Sequence, residues 1–183
     1  YPEITLEMAT GINTVSVVRN DADLALRLVR PEQHSLKIRK MGVMDSAVYG
    51  TARYLHHHPA AENRPLEGRR FITWDTSYSH LPSAKWLSEA SPTTPSALVT
   101  TSLASQVAAV TASLGLAVLP CYIAAQYEEL VEVIPAERVF SEELWLVSHA
   151  DLVSSTRVRA VADFLAEIIA ETELHASHHH PNH

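Results

Sequence analysis

Residues 102–120, SLASQVAAVTASLGLAVLP, constrain what this chain can fold into more than any charged residue in it. Leu103, Val107, Val110 and Leu114 recur at helical spacing and define one apolar stripe. Gly115 follows, where a helix stop favours a residue that tolerates positive φ. Residues 116–119 form a short unbroken apolar run, the pattern of a strand buried on both faces of a parallel sheet. Pro120 ends that strand and opens a second helix. Ahead of the first helix stand Thr100, Thr101 and Ser102. Hydroxyls and free backbone N–H groups at a helix N-terminus suit anions and small polar ligands. The segment reads as part of a ligand-binding α/β domain, with no catalytic motif in it.

The rest of the composition narrows the class. A chain of 183 residues buries a proper core as one domain or two small lobes, and 46% apolar residues exclude disorder for its body. Its apolar runs are too short for a membrane span, and its N-terminus carries no basic and apolar signal regions. One cysteine, Cys121, allows no internal disulfide, which fits a reducing cytosol. A formal charge of −7 argues against a grip on phosphate backbones by these residues.

Strands alternate with helices along the chain. Ile4, Leu6 and Met8 predict a half-buried strand, followed by a turn at Thr10 and Gly11 and a short helix over 13–19. Strands are expected at 24–26 and 36–40, with another extended stretch at 43–49 entering a loop at Gly50 and Thr51. A polar helix over 53–58 precedes a loop at 60–68 and a strand at 71–74. Trp86 and Leu87 sit on a short helix, and 97–100 is a strand. Residues 122–130 read as helix, 144–147 as the last strand, and 157–173 as an amphipathic helix. Val158, Val161, Phe164, Leu165, Ile168 and Ile169 share its apolar face. The pattern is that of an α/β fold.

The order resembles the effector-binding domain of LysR-type transcriptional regulators. The matching pieces are YPEITLEM at 1–8, DADLALRL at 21–28, ARYLHHHP at 52–59 and ITWD at 72–75. They continue with SLGLAVLPCYIA at 113–124, ELWLVSHADL at 143–152 and RVRAVADFLAEI at 157–168. The family usually has glycine where Ser113 stands. The resemblance implies that a winged helix-turn-helix, a linker helix and the first strand and helix of the effector domain precede YPEI. A chain without that first strand is expected to expose strand edges and to behave poorly as a monomer.

The fold it implies is a two-lobed, periplasmic-binding-protein-like (type 2) α/β fold with an inter-lobe cleft. Lobe I would comprise 1–47 and 147–172, lobe II 48–146, and 173–183 a disordered histidine-rich tail. A small polar or anionic effector in the cleft would bias the lobe arrangement. DNA contact would fall to the N-terminal domain, in a cytoplasmic homodimer or tetramer without cofactor, metal or membrane partner. The ligand-binding residues carried over are Thr10, the loop Thr76, Ser77 and Tyr78, and Thr101 with Ser102.

Each has a structural alternative. Thr10 can end a strand or cap a helix, and Thr101 and Ser102 are good N-caps. The loop beginning at Asp75 can be a solvated connection, although its polarity beside Trp74 and Trp86 favours a pocket wall. His56, His57 and His58 are consecutive, so on a helix they point apart and form no one-face metal pair. His149 follows the last strand, where a surface role is expected. Cys121 stands at a helix N-terminus, where the dipole would lower a thiol pKa, yet a small buried side chain is the better reading. No G-x-S-x-G, P-loop, G-x-G-x-x-G or H-E-x-x-H occurs, so no enzyme template fits. The alternative function is a solute-binding protein of a transport system with the same fold, which needs an export signal.

Overall fold

The computed structural model describes residues 3–9, 22–32, 35–60 and 63–177. Seven strands and five α-helices are assigned within them, in the order β1 (Leu24–Arg27), β2 (Leu36–Thr51), α1 (Ala52–His57), β3 (Phe71–Trp74), α2 (Pro82–Ala90), β4 (Ser96–Thr100), α3 (Leu103–Thr111), β5 (Ala117–Pro120), α4 (Cys121–Ala124), β6 (Leu130–Ile134), β7 (Phe140–His149) and α5 (Thr156–Ser177). The chain divides into two compact units, one of Tyr1–Val43 with Glu142–Ser177 and one built on Met44–Ser141. Strands β2 and β7 each run from one unit into the other.

In the first unit β1 pairs antiparallel with β7, Leu24 opposite Ser148 and Arg27 opposite Trp145. Leu36 and Val147 are buried at its centre, with Ala25, Ile38 and Trp145 packed around them. Lys40 reaches Glu143 at 2.6 Å, and Arg39 reaches Asp163 on α5 at 3.5 Å. Both pairs are exposed, so each contributes at most about 1 kcal/mol. Arg30 lies 5.2 Å over the Trp145 ring. On α5, Val158, Val161, Leu165 and Ile169 are half-buried, whereas Phe164 (53% exposed) and Ile168 face outward. The helical stripe is therefore narrower than the six residues expected. The helix also runs to Ser177, into the stretch expected to be a disordered tail. Residues 178–183 lie outside the described residues.

In the second unit β2 is flanked by β5, antiparallel from Ser46 opposite Pro120 to Tyr49 opposite Ala117, and by β6 from Val48 to Thr51. Covered on both edges, residues 46–51 are all buried. Strands β3 and β4 are parallel, and a parallel bridge joins Phe71 to Leu116 at the start of β5. Two bonds lock that bridge, Ile72 N–H to the Leu116 carbonyl at 2.8 Å and Leu116 N–H to the Arg70 carbonyl at 2.9 Å. One apolar cluster centres on Ala47, Ile72, Val110 and Leu119, a second on Val48, Tyr54, Phe71 and Leu116.

Several expectations need correction. Residues 4–8 alternate in polarity but form no strand, and Met8 is 84% exposed. Alternation marks a face, whereas a strand also needs a ladder partner, and among the described residues none pairs with this stretch. The expected strands at 36–40 and 43–49 are one 16-residue strand, running through Gly42 and on through Gly50 and Thr51. Thr51 is the N-cap of α1, its hydroxyl accepting from Tyr54 N–H at 3.1 Å. The helix expected over 122–130 stops at Ala124, and Leu130–Ile134 is strand β6 instead. Its β-branched residues pair with an edge of β2, a gain that periodicity over so short a run does not reveal.

Candidate functional site

The turn after α3 departs from expectation in an instructive way. The residue at positive φ is Ser113 (φ 62°), while Gly115 is not in the left-handed region. Ser113 stands where a helix-terminating glycine is commonest, and its hydroxyl is held by that of Thr51 at 2.7 Å. Gly115 serves another purpose. A Cβ there would lie 2.7 Å from the Arg70 carbonyl oxygen, so its bare backbone is what lets β5 begin beside β3. Leu114 is correspondingly outside the helix and exposed rather than part of its apolar stripe. Strand β5 is antiparallel to β2 on one side and parallel only through the Phe71–Leu116 bridge on the other.

That parallel arrangement gathers the polar loops. Strands β3 and β4 run side by side and end together, Trp74 opposite Thr100, and the Asp75 N–H donates to the Thr100 carbonyl at 3.0 Å. The loops that follow are therefore neighbours at the carboxyl ends of two parallel strands, where open α/β sheets bind ligands. On one side Asp75 caps a 3-10 turn at Thr76–Tyr78, accepting from Ser77 N–H (3.0 Å) and Ser77 Oγ (2.6 Å). These two bonds, the hydroxyl's being the stronger influence, hold its carboxyl below the usual range. On the other side the Thr100 hydroxyl accepts from Ser102 N–H at 3.2 Å, and Ser102 Oγ accepts from Ser105 N–H at 3.4 Å, capping α3.

The candidate residues thus separate into two kinds. Ser77 and Ser102 hold their own loops, although Ser102 keeps its O–H to donate. The exposed hydroxyls of Thr76 and Thr101 make no hydrogen bond among the described residues, and neither does the phenol of Tyr78, whose ring leans on Trp74 at 5.6 Å between centroids. The Trp74 indole donates to Ser83 at 2.9 Å, fixing that wall. The first two helical amides of α3, at Leu103 and Ala104, have no carbonyl partner among the described residues. Chemically this is a set of open N–H and O–H donors. Thr10 lies outside the described residues.

Reading for hydroxyls passes over Gln106, which is 1% exposed in α3 one turn after the Ser102 cap. Its position three residues after Leu103 puts a polar side chain on the buried stripe, a signal available in the sequence. Cys121 is a partly buried thiol, in line with the reading preferred over a dipole-activated one. Burial pushes its thiol above the ordinary range, and α4 spans only four residues, too short for a strong dipole. The neighbouring Tyr49 phenol is raised as well, chiefly by burial and then by its hydrogen bond with Cys121. His57 bonds the Arg53 carbonyl and His58 stacks on Tyr54, so the triplet does point apart. His149 accepts from the Asp151 N–H at 3.4 Å and lies 3.3 Å from its carboxylate.

The LysR substrate binding domain family matches residues 1–170. The chain belongs to that family. Among solved structures, the CrgA regulatory domain of Neisseria meningitidis, a LysR-type transcriptional regulator, is similar at 19% identity and a TM-score of 0.75, covering 92% of this chain and 86% of that one. Full-length AphB of Vibrio cholerae, a virulence activator, is similar at 17% identity and a TM-score of 0.68, with 91% of this chain and 59% of AphB covered. The CcmR regulatory domain of Synechocystis PCC6803, solved in complex with 2-PG, is similar at 17% identity and a TM-score of 0.62, covering 84% and 76%. The chain spans 60% of full-length CrgA. No curated protein sequence matches it. The fold of this LysR-family domain is the two-lobed, periplasmic-binding-protein-like α/β fold. Among the described residues no helix is long and apolar enough to cross a membrane.

Proposed function

We propose that this domain is the sensor of a cytoplasmic LysR-type transcription regulator and that its effector is a small polar or anionic metabolite. The observation carrying the ligand class is the donor set where β3 and β4 end: the hydroxyls of Thr76 and Thr101, the phenol of Tyr78, and the open amides at the start of α3. Such donors favour oxygen-rich, negatively charged ligands. Asp75, the acid in the same loop, stays ionised but is turned onto the Ser77 amide and hydroxyl, so it does not take up the donors of Thr76, Thr101 and Tyr78. Thr10, outside the described residues, is proposed as a further ligand contact on the family resemblance alone. The CcmR regulatory domain, a relative by fold, was solved with 2-PG bound, which supports a small ligand for this domain type.

The role is regulatory rather than catalytic. DNA contact is assigned to a separate N-terminal domain of a dimeric or tetrameric protein, and effector binding shifts the equilibrium between lobe arrangements by its difference in affinity for them. The family match favours this reading over a transport-associated solute-binding protein. Isothermal calorimetry against a panel of small carboxylates, phosphates, amines and apolar compounds tests the ligand class. Saturable heat is expected from acids. Binding confined to apolar or cationic compounds contradicts the proposal.

A further inference from the structure

The opposite end of the same two strands carries a second feature. A cavity of about 530 Å³ opens where β3 and β4 begin, with Gly68 and Arg69 leading into β3 and Pro95 into β4. That volume is within the range of small-molecule sites. A strand's length, roughly 15 Å, separates it from Thr76 and Thr101.

Its wall concentrates positive charge in a chain whose formal net charge is −7. Arg64, Arg69 and Arg138 line it, against Glu67 as the one acid among the described lining residues. Arg64 and Glu67 meet at 3.4 Å in an exposed pair, which occupies that acid. Arg138 is exposed and makes no ion pair among the described residues. Arg69 is the unusual member. It is only 9% exposed, with Nε donating to the His58 carbonyl at 2.9 Å and Nη1 to the Pro65 carbonyl at 2.6 Å. Nη2 makes no hydrogen bond, and no carboxylate lies within ion-pair distance, among the described residues.

Arg69 is nine-tenths buried without a counter-charge, and its unbonded Nη2 is the part that stays open to solvent, since no buried side-chain nitrogen or oxygen among the described residues lacks a hydrogen-bond partner. Burial accordingly lowers the Arg69 pKa. Its two carbonyl bonds also fix the planar group in one orientation, leaving Nη2 to receive an oxyanion without further ordering. Trp86 contributes a flat apolar wall, its indole anchored on the Arg138 carbonyl at 3.2 Å.

We infer that this cavity is a second ligand site, separate from the hydroxyl cluster, for a small organic anion. Its carboxylate or phosphate group is held by Arg69 and Arg138, and its carbon body lies against Trp86. A purely structural Arg69, stapling residues 58–65 to the start of β3, accounts for the two carbonyl bonds but predicts no response to anions.

Titration of the 183-residue chain with inorganic phosphate and, separately, with succinate, followed by NMR of the arginine Nε–H and backbone amides, distinguishes the two. Saturable shifts at Arg69 Nε–H and Gly68, with a Kd below about 1 mM, are expected from at least one probe. Phosphate alone identifies a phosphoryl ligand, and succinate alone a carboxylate. The double variant Arg64→Gln, Arg138→Gln changes exposed side chains only, and it is expected to weaken the response at least about tenfold with an unchanged thermal transition. Shifts confined to residues 75–78 and 100–105, no saturation with either probe, or a response that persists undiminished in the double variant overturns the inference.

Discussion

Gly115 passes so close to Arg70 that a single added carbon would sit 2.7 Å from the Arg70 carbonyl oxygen. The obstruction is backbone, which cannot swing aside as a side-chain end can. Leu116 N–H donates to that same carbonyl at 2.9 Å, so relieving the clash means breaking the bridge that starts β5 beside β3. Gly115→Ala is therefore expected to destabilise the domain by about 2 kcal/mol, lowering Tm by about 6 °C. At Gly50 the three nearest atoms to an added Cβ are side-chain tips, Leu116 Cδ2 at 2.6 Å and then Leu55 and Val133 at 3.7 and 3.9 Å, so Gly50→Ala is expected to cost less. Thermal or denaturant unfolding of both variants checks the order, and equal losses would refute the argument.

Cys121 is expected to react slowly. Burial raises its thiol pKa, Tyr49 bonds it, and little thiolate exists near neutral pH. Alkylation by iodoacetamide at pH 8 should run at least about tenfold slower than for free cysteine and reach the free rate in denaturant. A rate above that of free cysteine contradicts this environment.

Glu142 has a carboxyl raised by burial alone. Its folded pKa lies above its unfolded value, so its protonated form is favoured by folding. That contribution is complete below the unfolded pKa, about 4.3, and is lost as pH rises through the folded pKa. Glu142→Gln should therefore stabilise the domain at pH 7, by less than about 1 kcal/mol because the group is half-exposed, and should not stabilise it at pH 4. Chemical denaturation at the two pH values measures the difference.

The α/β class and most elements were legible because burial stripes repeat at the helix and strand periods. Strands β3 and β4 emerged within a residue of their observed bounds, whereas α3 begins as expected but ends at Thr111, short of Leu114. Strand β6 was hidden because it is defined by its partner β2 rather than by its own five residues. Residues 4–8 show the reverse, an alternating pattern without a ladder. The roles of Ser113 and Gly115 were exchanged, since spacing marks a turn without showing which residue bears positive φ and which meets a neighbouring backbone. At the candidate site, hydroxyl chemistry was readable, but which hydroxyls are spent was not. Ser77 and Ser102 are engaged in loop and cap, and only the folded chain separates them from Thr76 and Thr101.

That separation provides the most direct test of the proposed sensor. Thr101→Val removes a hydroxyl that makes no hydrogen bond among the described residues, so it should leave Tm unchanged while weakening the best-binding acid from the calorimetric panel by about tenfold, or about 1.4 kcal/mol. Ser102→Ala should also cost about 1 kcal/mol of stability through the lost cap. Calorimetry of that acid against the Thr101→Val domain, paired with its melting curve, is decisive. Weaker binding with unaltered Tm is the predicted result, and unaltered affinity for the acid would contradict a ligand held where β3 and β4 end.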